Sequence, residues 1–199
     1  ERVGGSGWAK PPGYREDTGV NNVKLGVWLF LASEVMLFGG LFSAYFTLRA
    51  GAVSWAPLAS HRPIAFLNTA LLLGAGSVFA AAIKAARKRR ADACRTWLVG
   101  ATMLATIFLA LKMLEYAHAA SEGFWPRTST QAGLYYLLTG VHALHVLAGI
   151  VVTLWLVSTS RRTWDRDPLR VVNRLEATAL YWYFVDVVWL ILVVLLYVV

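Results

Sequence analysis

The sequence predicts an all-α, polytopic membrane protein: a bundle of five transmembrane helices with its N-terminus inside and its C-terminus outside. Three observations carry that expectation. The 199-residue chain is 58% hydrophobic, and five of its apolar runs reach the roughly 20 residues that cross a bilayer. Fifteen of its 19 Lys and Arg fall into three polar stretches: Arg2, Lys10, Arg15 and Lys24; Lys84, Arg87 to Arg90 and Arg95; then Arg161, Arg162, Arg166, Arg170 and Arg174. The stretches between hold only Arg49, Arg62, Lys112 and Arg127. This alternation is the positive-inside pattern of a chain crossing an odd number of times. Finally, no Asn-Gly hairpins or alternating ten-residue strands appear, which argues against a barrel. The net charge of +8 is accounted for by basic loops facing anionic lipids, and no nucleic acid is needed to explain it.

Residues 1–22 are polar and rich in Gly and Pro, without an apolar core. They read as an extended arm on the cytoplasmic side, lying on the membrane surface or on a partner, and not as a signal peptide. A single transmembrane domain follows over 23–199, with spans near 23–48, 63–86, 96–119, 131–158 and 175–199. The first span offers Gly39 with Ser43 and Gly40 with Ala44, small-xxx-small spacings that let another helix approach closely. The second starts at Pro63, where a first helical turn tolerates proline, and carries Ala70, Gly74, Gly76 and Ala80 as a close-packing face. It stops in KAARKRR, the strongest inside signal in the chain. The only cysteine, Cys94, falls in that second basic stretch, expected to be cytoplasmic, so neither an internal disulfide nor a thiolate metal site is expected. Trp and Tyr gather near several span ends, where amphipathic rings favour the headgroup region.

Ionisable side chains inside the spans are the strongest functional candidates, because each is costly in hydrocarbon. Glu34 lies about half-way along the first span at 1.5 Å per residue. It is either a packing carboxylic acid bonded to a neighbouring helix, or a group that binds a lipid headgroup or keeps a proton connection to another subunit. Lys112 and Glu115 share one helix face; they pair, unless Lys112 snorkels outward. Glu115-x-x-His118 has the spacing of a di-iron ligand motif, but such a site needs two of these motifs and two further carboxylates. His142 and His145 lie on one face of the fourth helix, and structural hydrogen bonding is the favoured reading for both. Glu176 and Asp186 sit about 80° apart around the fifth helix and so meet different partners. No metal site and no catalytic residue is expected: there is no Gly-x-Ser-x-Gly, no His-Glu-x-x-His and no phosphate-cradling glycine loop.

Five segments taken together resemble one family. They are WLFLASEVMLFGGLFSAYF around Glu34, LNTALLL at 67–73, FLALKMLEY at 108–116, LTGVHALHVLAG at 138–149 and EATALYWYFVDVVWL at 176–190. In order and content they are similar to subunit III of the haem–copper terminal oxidases, in its short five-helix bacterial form. The resemblance implies a multi-pass subunit of the bacterial cytoplasmic membrane, within a complex that oxidises cytochrome c or quinol and reduces oxygen to water while pumping protons. It implies haems and copper in partner subunits I and II and no cofactor on this chain. It further implies bound phospholipid, direct contact with subunit I, and subunit II and a small subunit IV as further neighbours. Glu34 matches the family's buried functional glutamate; Glu115, His142, His145, Glu176 and Asp186 match its other characteristic polar positions. The chain departs from the family where Tyr183 replaces the His of a Trp-His-Phe-Val-Asp run. It departs again where Val171 and Val172 stand near a His pair that helps hold lipid headgroups in some members. Arg170 and Arg174 are the candidates to take over phosphate binding there. Two alternatives stay open: the related subunit of a nitric oxide reductase system, and a small secondary transporter with Glu34 as its proton carrier.

Overall fold

A computed structural model describes residues 22–52, 55 and 62–198; the arm at 1–21 and His61 lie outside the described residues. Five helices follow one another: α1 (Asn22–Ala50), α2 (Arg62–Arg87), α3 (Ala91–Ser121), α4 (Thr130–Arg166) and α5 (Pro168–Val193). A π-helical turn, Val194–Val198, continues α5. All five are long and apolar enough to cross a membrane, and no strand occurs among the described residues. The chain is a multi-pass membrane bundle.

α5 begins before its apolar span because its start is capped locally. Asp167 accepts a hydrogen bond from the Arg170 backbone N–H and Pro168 occupies the first turn of α5, an arrangement that starts a helix. The basic stretch around residue 167 is thus mostly helical. Between α2 and α3 only Lys88, Arg89 and Arg90 intervene. Arg89 takes a left-handed conformation, φ 55°, with its N–H on the Ala86 carbonyl and that of Arg90 on Ala85, the hydrogen-bond pair of a Schellman stop. Cys94 falls inside α3 and is buried, so the basic stretch does not leave it in a loop.

α5 is the hub. Its residues Leu175, Trp182, Val185, Trp189 and Leu192 are buried, and it packs on each of α1, α2 and α4. α1 runs parallel to it, since Lys24 reaches Glu176 near one end and the Tyr45 hydroxyl donates to the Leu195 carbonyl near the other. α2 runs antiparallel: Arg87 meets Glu176, the Trp189 indole donates to Thr69, and Arg62 donates to the Tyr197 carbonyl. Arg62 and Tyr45 thereby satisfy carbonyls that the end of a helix leaves without intrahelical partners.

α1 touches the bundle by a narrow line. Its buried apolar residues are Leu31, Phe38 and Tyr45, spaced seven apart as in a coiled-coil seam. Met36, Leu29 and Val35 point outward. Space is open beside Gly39 and Gly40, so the small-residue spacings of this helix are not used by any described helix of the chain. Those of α2 are used. A Cβ built at Gly76 would lie 2.6 Å from Asp186 Oδ2, and one at Gly149 of α4 would lie 2.9 Å from the Trp182 ring. Gly76→Ala is therefore expected to destabilise the bundle by about 1–3 kcal/mol through overpacking, read as a lower unfolding temperature in detergent. Adding Asp186→Ala should recover most of that loss; if it recovers none, the Asp186 carboxyl is not what α2 closes upon.

Candidate functional site

Three polar constellations sit in this frame, each on a different seam. The first joins α1 to α4. Glu34 Oε2 lies 2.8 Å from His145 Nε2, and His145 Nδ1 lies 2.8 Å from the Val141 carbonyl. A carbonyl only accepts, so Nδ1 carries a proton and donates. The second contact then requires one more proton, held by the carboxyl or by Nε2. In either case the pair is neutral overall, which is what a low-dielectric setting favours. Phe38 sets its ring edge-on to the imidazole at 5.2 Å, and the Tyr181 hydroxyl donates to the His145 carbonyl at 2.7 Å. Both side chains keep about one-sixth of their surface open, 15% for Glu34 and 16% for His145.

Beside this pair runs an apolar groove of about 390 Å³ between α1, α4 and α5, lined among others by Phe30, Val152, Trp155, Arg174 and Tyr181. Phe30 and Ala148 lie within one turn of Glu34 and His145, so the groove leads from Arg174 at the basic end toward the pair. The Arg174 guanidinium stands 5.1 Å over the Trp155 ring, a cation–π contact that holds it at the groove's edge. Arg170 is exposed and does not line the groove. Of the two arginines, only Arg174 lines it.

The second constellation is sealed. Lys112 and Glu115 of α3 are both fully buried. Lys112 Nζ donates to Glu115 Oε2 at 3.0 Å, to the Tyr135 hydroxyl at 3.2 Å and to the Tyr197 hydroxyl at 2.8 Å. Those are the three donors an ammonium has. Both hydroxyls then donate to Glu115 Oε1, at 2.8 and 2.6 Å. The rings of Tyr116, Tyr135, Trp189 and Tyr197 surround the ammonium at 4.8–5.5 Å. Lys112 therefore pairs and does not snorkel. Tyr135 and Tyr197, near helix ends where interfacial aromatics are expected, instead turn their hydroxyls inward to charged partners, so the aromatic-belt expectation does not hold for them. Their part was not readable from spacing, since no local pattern links residue 197 to residue 112.

The third constellation lies at the basic end. Glu176 accepts from Lys24 at 2.5 Å on one oxygen and from Arg87 at 2.7 and 3.2 Å on the other, tying α1, α2 and α5 together. Asp186, ten residues on, is 8% exposed and packs on Gly76, so the two acids do meet different partners. His142 and His145 part company as well. His142 stacks on Trp189 at 5.2 Å and meets the Phe108 edge, and neither of its ring nitrogens has a hydrogen-bond partner among the described residues. Structural hydrogen bonding thus holds for His145 and fails for His142, because three residues along a helix turn the second ring away from α1 and into the core. Asn68, equally buried, also has no partner for its amide among the described residues.

Among the described residues, no three His, Cys, Asp or Glu side chains gather as a metal-ligand set. Of the described imidazoles, His145 has both nitrogens engaged, His142 is enclosed by aromatic rings, and His118 stands beside Glu122 at an exposed helix end. The described residues thus form a five-helix membrane bundle with one acid–imidazole pair, a sealed ammonium and an apolar groove.

Comparison with known proteins gives such a bundle a family. The family model for cytochrome c oxidase subunit III matches residues 10–199. The cytochrome c oxidase subunit 3 of Thermostichus vulcanus is 33% identical, covering 87% of this chain and 86% of its own. That of Corynebacterium diphtheriae is 34% identical over 89% and 88%. The cytochrome bo(3) ubiquinol oxidase subunit 3 of Pseudomonas aeruginosa is 30% identical over 89% and 84%. The chain belongs to the cytochrome c oxidase subunit III family and is a subunit III of a haem–copper oxidase, whose metals sit in other subunits.

Proposed function

We propose that this chain is the lipid-binding, non-catalytic subunit III of a proton-pumping terminal oxidase in a bacterial cytoplasmic membrane. Its basic end faces the cytoplasm and its partners are subunit I by direct contact, subunit II and a small subunit IV. It supports proton uptake by subunit I and the stability of that subunit. The complex oxidises cytochrome c or quinol and reduces oxygen to water.

The observation that carries the lipid reading is the groove that runs from Arg174 toward Glu34–His145. A cation at the headgroup end of an apolar channel is what a phospholipid requires. Charge attracts the phosphate, while the channel buries acyl methylenes that would otherwise meet looser neighbours. The opening beside Gly39 and Gly40 supports a partner helix on the outer face of α1, since small residues let helices close on one another.

Co-purification in mild detergent tests the assignment: haem-containing subunits are expected with this chain, at one copy each. A chain that purifies alone and transports a solute in proteoliposomes would instead be a transporter. Arg174→Gln should lower retained phospholipid by about one per complex and speed the loss of activity during turnover. Unchanged lipid content would remove Arg174 from the headgroup site.

A further inference from the structure

The α1/α4/α5 groove has a counterpart on the opposite side of α1. Between α1, α2 and α5 a second groove of about 470 Å³ opens at the basic end, with Lys24, Lys84, Arg87 and Glu176 at its mouth and Trp28, Ala80 and Tyr183 further in. Three cations face one carboxylate there. Both Glu176 oxygens are taken by Lys24 and Arg87, and Lys84, one turn before Arg87, has no carboxylate partner among the described residues. The Arg87 side chain is 63% exposed, leaving guanidinium N–H groups free to face outward. The mouth therefore holds surplus positive charge that Glu176 does not neutralise.

The groove continues along the helices away from that charge. From Arg87 to Ala80, and from Glu176 to Tyr183, seven residues of helix carry it about 10 Å further into the membrane layer. Its floor is apolar apart from the Tyr183 hydroxyl. A free phosphate would use the mouth and leave the floor empty. An acidic segment of another protein would need its own polar backbone to lie against an apolar floor. An anionic phospholipid uses both parts, with its phosphate between Lys84 and Arg87 and the first stretch of its acyl chain against Trp28 and Ala80.

We infer that the α1/α2/α5 groove is a second phospholipid site, separate from the one at Arg174 and selective for an anionic headgroup. The inference rests on the membrane-subunit reading above only in requiring that the chain be embedded beside lipid. Holding a lipid here fastens α1, which has few buried side chains of its own, to α2 and α5 on the side that α4 does not reach.

The test uses the complex purified with this chain, delipidated in detergent and offered phosphatidylglycerol, phosphatidylcholine or inorganic phosphate, with bound lipid counted by native mass spectrometry. Lys84→Glu reverses the unpaired charge and leaves the Lys24–Glu176–Arg87 bridge intact. It should weaken phosphatidylglycerol binding at one site roughly 10–30-fold, from about one step of surface attraction per charge removed and another per charge reversed. Lys84→Arg should bind as wild type. Ala80→Phe fills the floor without altering charge and should displace the same lipid. Arg174→Gln should leave this site occupied while emptying the other. The inference is overturned if Lys84→Glu and Ala80→Phe both retain phosphatidylglycerol as wild type does, if phosphatidylcholine binds equally well, or if millimolar inorganic phosphate displaces the lipid. It is also overturned if a photo-cross-linker at position 84 captures a polypeptide instead of lipid. Haem content of the same preparation is read separately, so a failure of the oxidase assignment would not be confused with a failure of this one.

Discussion

Glu115→Ala is expected to cost about 3–5 kcal/mol of bundle stability, the range for stranding one member of a buried ion pair. The ammonium of Lys112 would remain fully enclosed with two tyrosine hydroxyls that have lost their own acceptor. Unfolding in a denaturing detergent series, or retention of the subunit during purification, would measure it. Lys112→Met combined with Glu115→Leu should be milder than either single change, because replacing both charges by apolar groups removes the desolvation problem. Adding Tyr135→Phe and Tyr197→Phe should recover more still, since no orphaned hydroxyl remains. A Glu115→Ala chain as stable as wild type would mean that the network contributes nothing to holding α3, α4 and α5 together.

The second large effect separates two substitutions at one position. Glu34→Gln places an amide N–H opposite His145 Nε2, which accepts it while Nδ1–H stays on the Val141 carbonyl. Assembly and initial turnover should be close to wild type. Glu34→Ala leaves Nε2 without its partner, a loss of about 1–3 kcal/mol, and α1 has little other polar attachment to α4. Subunit III should then dissociate more readily, and phospholipid should wash out of the adjoining groove. Subunit content and lipid phosphorus of the purified complex report both. If Glu34→Gln alone stopped proton uptake in a fully assembled oxidase, the pair would have to move protons and could not be a neutral clasp.

The sequence made legible what depends on local composition. Five spans follow from apolar run length, and the Lys112–Glu115 pair from a spacing of three on one helix. It did not disclose which cation or base answers each acid across the bundle. Glu34 meets His145 across a sequence separation of 111 and Glu176 meets Lys24 across 152, and helix rotation decides such pairings. A rotation of α4 by about 60°, with a shift of about 4.5 Å along its axis, would have brought His142 to α1 instead. The same rotation explains why two histidines three residues apart end in opposite settings, one bonded and one enclosed by aromatic rings. Apolar run length does not reveal the helix start at residues 167–174, because it ignores a cap: Asp167 and Pro168 begin α5 well before its hydrophobic stretch does.

The π-helical turn at Val194–Val198 has a consequence for how the protein is made. Tyr197 lies in the π-turn that continues α5, translated well after α3, yet it supplies one of the three acceptors of the Lys112 ammonium. α3 therefore leaves the ribosome and enters the bilayer with its lysine matched only in part, in a setting where a mid-span charge is penalised by about 2.5–3.5 kcal/mol. Intermediates holding four helices carry that penalty until residue 197 arrives. Release from the insertion machinery and escape from membrane proteolysis should thus favour chains in which α5 has docked and Tyr197 has reached Lys112.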